Sequence, residues 1–245
     1  MWVIVDPDTE FDYAYDCTLT LSDADPISYD DDGAVVYELS NGPNLISYPY
    51  VSEQSIGDAF AGACSGLISA VYGEGNAAQL YNGHWNGSLQ SLEPGHGYWL
   101  LLADECTFSI SAPAGNHARL SSVQPVPEKY LAVQSTQQAF YFVNSATIYD
   151  ESLEAEDLII AYNGDVIVGS RYWNGEYTDV PAMGQADADA EYCESGDIIT
   201  FKVYDASSDE MIEMSADNNT AWEDLGLYTI NLVNSQVPET FALGQ

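Results

Sequence analysis

The chain has 245 residues, 46% hydrophobic and 12% aromatic, a globular composition long enough for one to three compact domains with real cores. Thirty-nine acidic residues face only Lys129, Lys202, Arg119 and Arg171, giving a formal net charge of −35. Such a surface repels phosphate backbones and anionic head groups, and no run approaches the ~20 apolar residues of a spanning helix, which argues against nucleic acid and membrane insertion.

In chain order, Trp2-Val3-Ile4-Val5-Asp6-Pro7-Asp8-Thr9-Glu10-Phe11 aligns without gaps to Trp99-Leu100-Leu101-Leu102-Ala103-Asp104-Glu105-Cys106-Thr107-Phe108. Tryptophan, three aliphatics, an acidic turn and phenylalanine recur in order, the mark of a repeated strand pair. Residues 1–36 are therefore expected to be the remnant end of a preceding repeat plus an acidic linker, with Met1 not necessarily the native start. The edge of such a strand must pair, either within this chain or with a neighbouring molecule.

Ile56, Ala59, Phe60, Ala63, Leu67 and Val71 recur at spacings of three and four, which predicts a short amphipathic helix over about 55–71, with Ser55 and Asp58 as its cap. Gly57, Gly62 and Gly66 each cost such a helix about 1 kcal/mol, so packing must hold it. Cys64 on this stripe reads as a small core residue. Cys17, Cys64, Cys106 and Cys193 form no close C-x-x-C pair, so structural zinc is not expected, and all three disulfide connectivities stay open.

Pro113, Gly115, Pro125 and Pro127 mark a linker at 115–126, separating a first module at 37–114 from a second at 127–233, with a tail at 234–245. In the second module, Leu158 to Tyr162, Asn163-Gly164 and Asp165 to Val168 predict a two-residue hairpin. Tyr130–Val133, Ala139–Val143, Ile198–Tyr204, Glu210–Met214 and Leu227–Val233 read as further strands. The expected fold class is mainly β, as two β-sandwich-like domains, the first carrying the one short helix.

An enzyme needs converging acid, base or nucleophile groups. The three histidines, His84, His96 and His117, sit in turns or the linker, and no G-x-S-x-G elbow frames a serine, so no catalytic residues and no enzyme are expected. Trp85 and the run Tyr172-Trp173, with Tyr177 nearby, stand beside turn signals. Exposed, they stack on sugars or anchor a protein; buried, they cap a core, and burial is favoured. Trp2, Trp99 and Trp222 read as core.

The acidic clusters Asp6, Asp8, Glu10 and Asp12; Asp30 to Asp32; and Asp187, Asp189 and Glu191 are solvated loops by default and suit saline surroundings. None has EF-hand spacing; calcium is the metal they would take, with Asp6, Asp8, Asp187 and Asp189 as candidate ligands and no other cofactor.

Three stretches carry a family resemblance. Asn41-Gly42-Pro43-Asn44-Leu45-Ile46-Ser47-Tyr48-Pro49 resembles the "G-W-N-L-I-S-L-P" opening of a module of secreted proteins from marine and related bacteria. Its companions are Val71-Tyr72-Gly73-Glu74-Gly75, Trp85-Asn86-Gly87-Ser88-Leu89 and Leu92-Glu93-Pro94-Gly95-His96-Gly97-Tyr98-Trp99, departing in Pro43 for tryptophan and His96 for lysine. Asp157 to Asp165, Val168 to Arg171, Asp179 to Gly184 and Ser195 to Asp205 resemble a partner module.

Val237 to Gln245 is similar to the linker before an "N-Y-P-N-P-F-N-P" sorting domain of Bacteroidetes-like type IX secretion proteins. Related modules also occur in marine phage virion proteins. The resemblance implies an extracellular or cell-surface location and a non-catalytic structural or binding role, such as adhesion, within a multidomain protein. A carbohydrate-binding accessory unit of a secreted hydrolase, or a self-assembling filament, surface-layer or virion subunit, is the alternative. The expected partner is then an extracellular protein, a glycan or another copy of the chain.

Overall fold

The computed structural model describes residues 34–62, 64, 66–113, 125–186, 191–218 and 220–234. Among them strands dominate, and no helix is long and apolar enough to cross a membrane. The first half supplies β1 (Val35–Leu39), β2 (Gly42–Ser47), β3 (Gln54–Ser55), α1 (Ile56–Ala59), β4 (Ile68–Tyr72), β5 (Ala77–Tyr81), β6 (His84–Gly87), β7 (Ser91–Leu92), β8 (Gly97–Leu102) and β9 (Cys106–Ile110). Five of these form an antiparallel sheet in the order β2-β8-β4-β5-β6, and the pairs β1-β9 and β3-β7 form two small sheets.

Strand β8 explains the unbroken apolar run Tyr98 to Leu102. Tyr98, Leu100 and Leu102 enter a core with Ile46, Val71, Leu92 and Phe108, while Trp99 and Leu101 pack on a different cluster. A strand buried on both faces loses the polar alternation of a half-exposed one. The decapeptide Trp99 to Phe108 spans the turn from β8 into β9; its aligned copy, residues 2–11, lies outside the described residues.

The helix is present but shorter than its stripe. Ser55 Oγ accepts the Asp58 backbone N–H at 3.1 Å, which is the anticipated cap, and Ile56, Ala59 and Phe60 are buried. It ends at Ala59, and Val71 lies in β4. Gly62 and Gly66 take φ of +89° and +81°, turning the chain back on itself instead of continuing the helix. A disulfide joins Cys64 in this turn to Cys106 on β9, so Cys64 packs against the first core as half of a cross-link. Cys193 is a free, buried thiol that burial pushes up to about 12, and Cys17 lies outside the described residues.

The second half supplies β10 (Gln138–Ile148), β11 (Glu151–Ser152), β12 (Leu158–Asn163), β13 (Val166–Tyr172), β14 (Thr178–Met183), β15 (Thr200–Asp205), β16 (Glu210–Ala216) and β17 (Leu227–Asn234). Their order is β11-β10-β17-β16-β15-β12-β13, with β14 also paired to β10. The sheet curls through β16, whose Glu210 to Met214 pair with β15 while Ser215 and Ala216 pair with β17. Strands β10 and β17 run parallel. Inside the curl lie Ile159, Ala161, Val168, Val180, Phe201, Val203, Ile230 and Trp222, whose Nε1 donates to the Ala182 carbonyl at 3.0 Å.

The expected hairpin is β12-β13, but Asn163 pairs with Val166, so Gly164 and Asp165 are the central residues. Only Gly164, at φ +57°, takes the positive region, which is the II′ pattern and not the I′ pattern that Asn-Gly favours. The expected strand Tyr130–Val133 is not formed. Glu128–Tyr130 is a single 3-10 turn, and the chain beyond it lies on the outer face of the second sheet rather than along its edge.

Candidate functional site

The most heavily built polar arrangement joins the two halves. Asp179 on β14 is 1% exposed, yet it accepts four hydrogen bonds. Its donors are the Ser88 N–H at 2.8 Å, the Ala77 N–H at 3.0 Å, the Ser88 hydroxyl at 2.7 Å and Arg171 Nη2 at 3.2 Å. Arg171 on β13 also donates through Nη2 to the Gly75 carbonyl at 2.5 Å and through Nε to the Asp179 carbonyl at 3.0 Å. Buried Gln138 adds a bond in each direction, Nε2 to the Gly73 carbonyl at 2.7 Å and Oε1 from the Gly75 N–H at 3.1 Å.

Around this plug lies a shared apolar cluster of Ala70, Tyr72 and Ala77 from the first half and Phe140 and Phe142 from the second. Tyr72 stacks on Phe140 at 5.5 Å and donates its hydroxyl to the Leu225 carbonyl at 3.2 Å. Burial raises the Tyr72 pKa, so its hydroxyl stays a donor at all ordinary pH values. A buried ion pair repays its desolvation only when the remaining lone pairs and protons are bonded, and here both Asp179 carboxylate oxygens and Arg171 Nε and Nη2 hold partners. Its chemistry is that of a fastening.

A second arrangement faces solvent. Leu158 pairs with Tyr172 on β13 and Tyr204 on β15, and Ile160 pairs with Ser170 and Lys202. Side chains two apart on a strand share a face, so these residues lie opposite Ile159 and Ala161. Leu158 and Ile160 are nonetheless buried, and the Glu128–Tyr130 turn rests against this face, with Ser170 Oγ donating to the Tyr130 carbonyl at 2.8 Å.

Half-exposed tyrosines surround that sealed pair: Tyr130, Tyr162, Tyr172 and Tyr204. Lys129 Nζ stands 4.4 Å from the Tyr130 ring centre and 5.3 Å from that of Tyr204, and Lys202 Nζ stands 5.3 Å from that of Tyr162. Lys202 also pairs with Glu213 at 3.3 Å. The hydrogen bond that Tyr204 donates to Asp209 at 2.6 Å raises its pKa, and burial raises that of Tyr162.

The four aromatics singled out in the sequence go to separate places. Tyr172 lies on the tyrosine face. Trp85 lies in β6, just after the turn at Asn82 and Gly83, half-buried against the first core with Phe60 at 5.8 Å. Trp173 is half-buried against the second core. Tyr177, at φ +64°, packs its ring at a tilt against Tyr81 across the seam, with centroids 5.1 Å apart. Trp222 is buried and Trp99 packs partly buried at the seam. His84 and His96 are both exposed.

Among the described residues no three His, Cys, Asp or Glu side chains gather into a metal-holding group. The candidate calcium ligands Asp6, Asp8, Asp187 and Asp189 lie outside the described residues. No family model, curated protein or solved structure matches this chain. The site therefore rests on its own geometry.

Sequence reasoning missed Tyr130, Tyr162, Tyr204, Lys129 and Lys202. A signal was present: Lys202 and Tyr204 alternate with the apolar Phe201 and Val203, and three of only four cations, Lys129, Arg171 and Lys202, sit within two residues of a tyrosine. The seam left a fainter trace, since Arg171 and Asp179 stand in otherwise apolar strands.

Proposed function

We propose that this chain is a non-catalytic structural or binding unit of a secreted, multidomain cell-surface protein, exported by the type IX route that its sequence motifs suggest. The observation that carries this reading is how the buried ionisable groups are used. Arg171 and Asp179 fasten the two halves, and buried Asp157 accepts the N–H groups of Glu154 and Ala206 at 2.8 and 3.0 Å, capping a turn. Catalysis requires a poised acid or base; these are committed to backbone.

The Cys64–Cys106 disulfide supports an oxidising, extracytoplasmic compartment, where such bonds persist. The test is surface proteolysis and fractionation of the producing cells, followed by mass spectrometry of the peptide bearing Cys64. Surface-accessible, disulfide-linked protein is expected. Cytoplasmic protein with both thiols reduced would overturn the reading. Self-assembly and calcium binding remain subordinate proposals, tested by light scattering at high salt and by the calcium titration below.

A further inference from the structure

We propose that the outer face of β12, β13 and β15, rimmed by Tyr130, Tyr162, Tyr172 and Tyr204, binds a polysaccharide chain. This rests on the binding reading above and names its ligand class. The face extends from Tyr162 to Leu158, four residues along one strand, or ~13 Å at the strand rise. Across the sheet it runs from Tyr172 over Leu158 to Tyr204, three neighbouring strands or ~10 Å. That area takes more than one sugar ring.

The groups displayed select the occupant. Among the described residues the hydroxyls of Tyr130, Tyr162 and Tyr172 have no protein partner, so three donors stand free on half-exposed rings. Lys129 and Lys202 add ammonium donors, and Asp209 and Glu213 add acceptors, at the same face. The two aliphatic side chains at its centre are sealed: Leu158 is 1% exposed and Ile160 is 0%. A protein partner would need a desolvated apolar anchor pocket; the centre of this face offers none, and its exposed apolar side chains are Leu131 beside Tyr130 and Met211 opposite Tyr204.

Nucleic acid is repelled by the net charge of −35. A pyranose offers what remains to be matched: an apolar C–H face for a tyrosine ring and a rim of hydroxyls for donors and acceptors. Two of the chain's four cations lie here, which offsets Asp209 and Glu213 and admits carboxylated as well as neutral sugars.

Affinity electrophoresis of the whole chain through gels holding a soluble β-glucan, xylan, alginate or polygalacturonate tests this. Retardation is expected in at least one gel, weakened about tenfold by Tyr172→Ala and by Tyr162→Ala. Tyr149→Ala, an exposed tyrosine outside the face, should leave retardation unchanged. Salt-sensitive retardation identifies a carboxylated ligand and salt-insensitive retardation a neutral one, and either supports the site. Should an alanine variant fail to fold, Tyr162→Phe and Tyr172→Phe keep the ring, remove the donor and must still weaken binding about threefold. No retardation in any gel, or equal retardation in all folded variants, overturns the site while leaving the cell-surface reading to its own test.

Discussion

Arg171 on β13 and Asp179 on β14 pair at 3.2 Å inside the protein, and each also bonds the backbone of the opposite half. One of only four cations in the chain is thus buried between two sheets that share no strand. The pair sets the register of the halves more than it adds net stability, because desolvating two charges offsets most of their attraction.

Asp179→Ala should therefore cost about 3–5 kcal/mol in urea unfolding, since it strands the guanidinium and the N–H groups of Ala77 and Ser88. The double variant Arg171→Met, Asp179→Ala should lose about 1–3 kcal/mol less than the summed single losses. Additive losses would show that the two residues act independently.

How much of this was legible in the sequence follows from the range of each interaction. The β12-β13 hairpin and the strands β10, β15, β16 and β17 were readable, because local β-branched content and turn residues specify them. Tyr130 to Val133 has the same local content, yet it lies across a sheet face without pairing; that choice is made by tertiary contact with Ser170 and Tyr192. The stripe beyond Ala59 failed because Ile68 to Tyr72 finds strand partners in β5 and β8, which outcompete a glycine-interrupted helix. The tyrosine face left only the local spacing of lysine and tyrosine as a trace, because it assembles from residues 130, 162, 172 and 204 on separate elements.

The Cys64–Cys106 bridge closes a loop of 42 residues and should contribute about 4 kcal/mol by constraining the unfolded chain. Comparing guanidinium midpoints of the wild type and a Cys64→Ser, Cys106→Ser variant measures it. A loss below about 1 kcal/mol would mean the helix turn and β9 hold together without the cross-link.

Acid should expose the hydrogen-bonded carboxylates. The Asn231 backbone N–H, at 2.8 Å, and its side-chain amide hold the Asp217 pKa below the usual range. Burial raises that of Asp205, but bonds from Ser207 and Ser208 outweigh it and the net shift is downward. A depressed folded pKa gives stability that is complete above the unfolded value of ~3.9 and lost as pH falls through the folded one. Asp217→Ala should thus melt below the wild type at pH 6, with the gap closing as pH falls below the unfolded carboxylate value of ~3.9. A gap independent of pH would contradict the hydrogen-bonding account.

At a net charge of −35, screening should raise Tm steadily as sodium chloride increases over the range where the Debye length falls from ~10 to ~3 Å. Calcium chloride matched for ionic strength should give the same curve if its effect is screening. A larger rise at millimolar calcium, reversed by chelator, would instead establish a calcium site.

That the seam makes one body of the two halves is tested most directly by differential scanning calorimetry. A single transition whose calorimetric and van't Hoff enthalpies agree is predicted for the wild type, resolving into two when Asp179 is replaced by alanine. Two separate transitions in the wild type would show that the halves unfold independently and that the buried pair does not bind them.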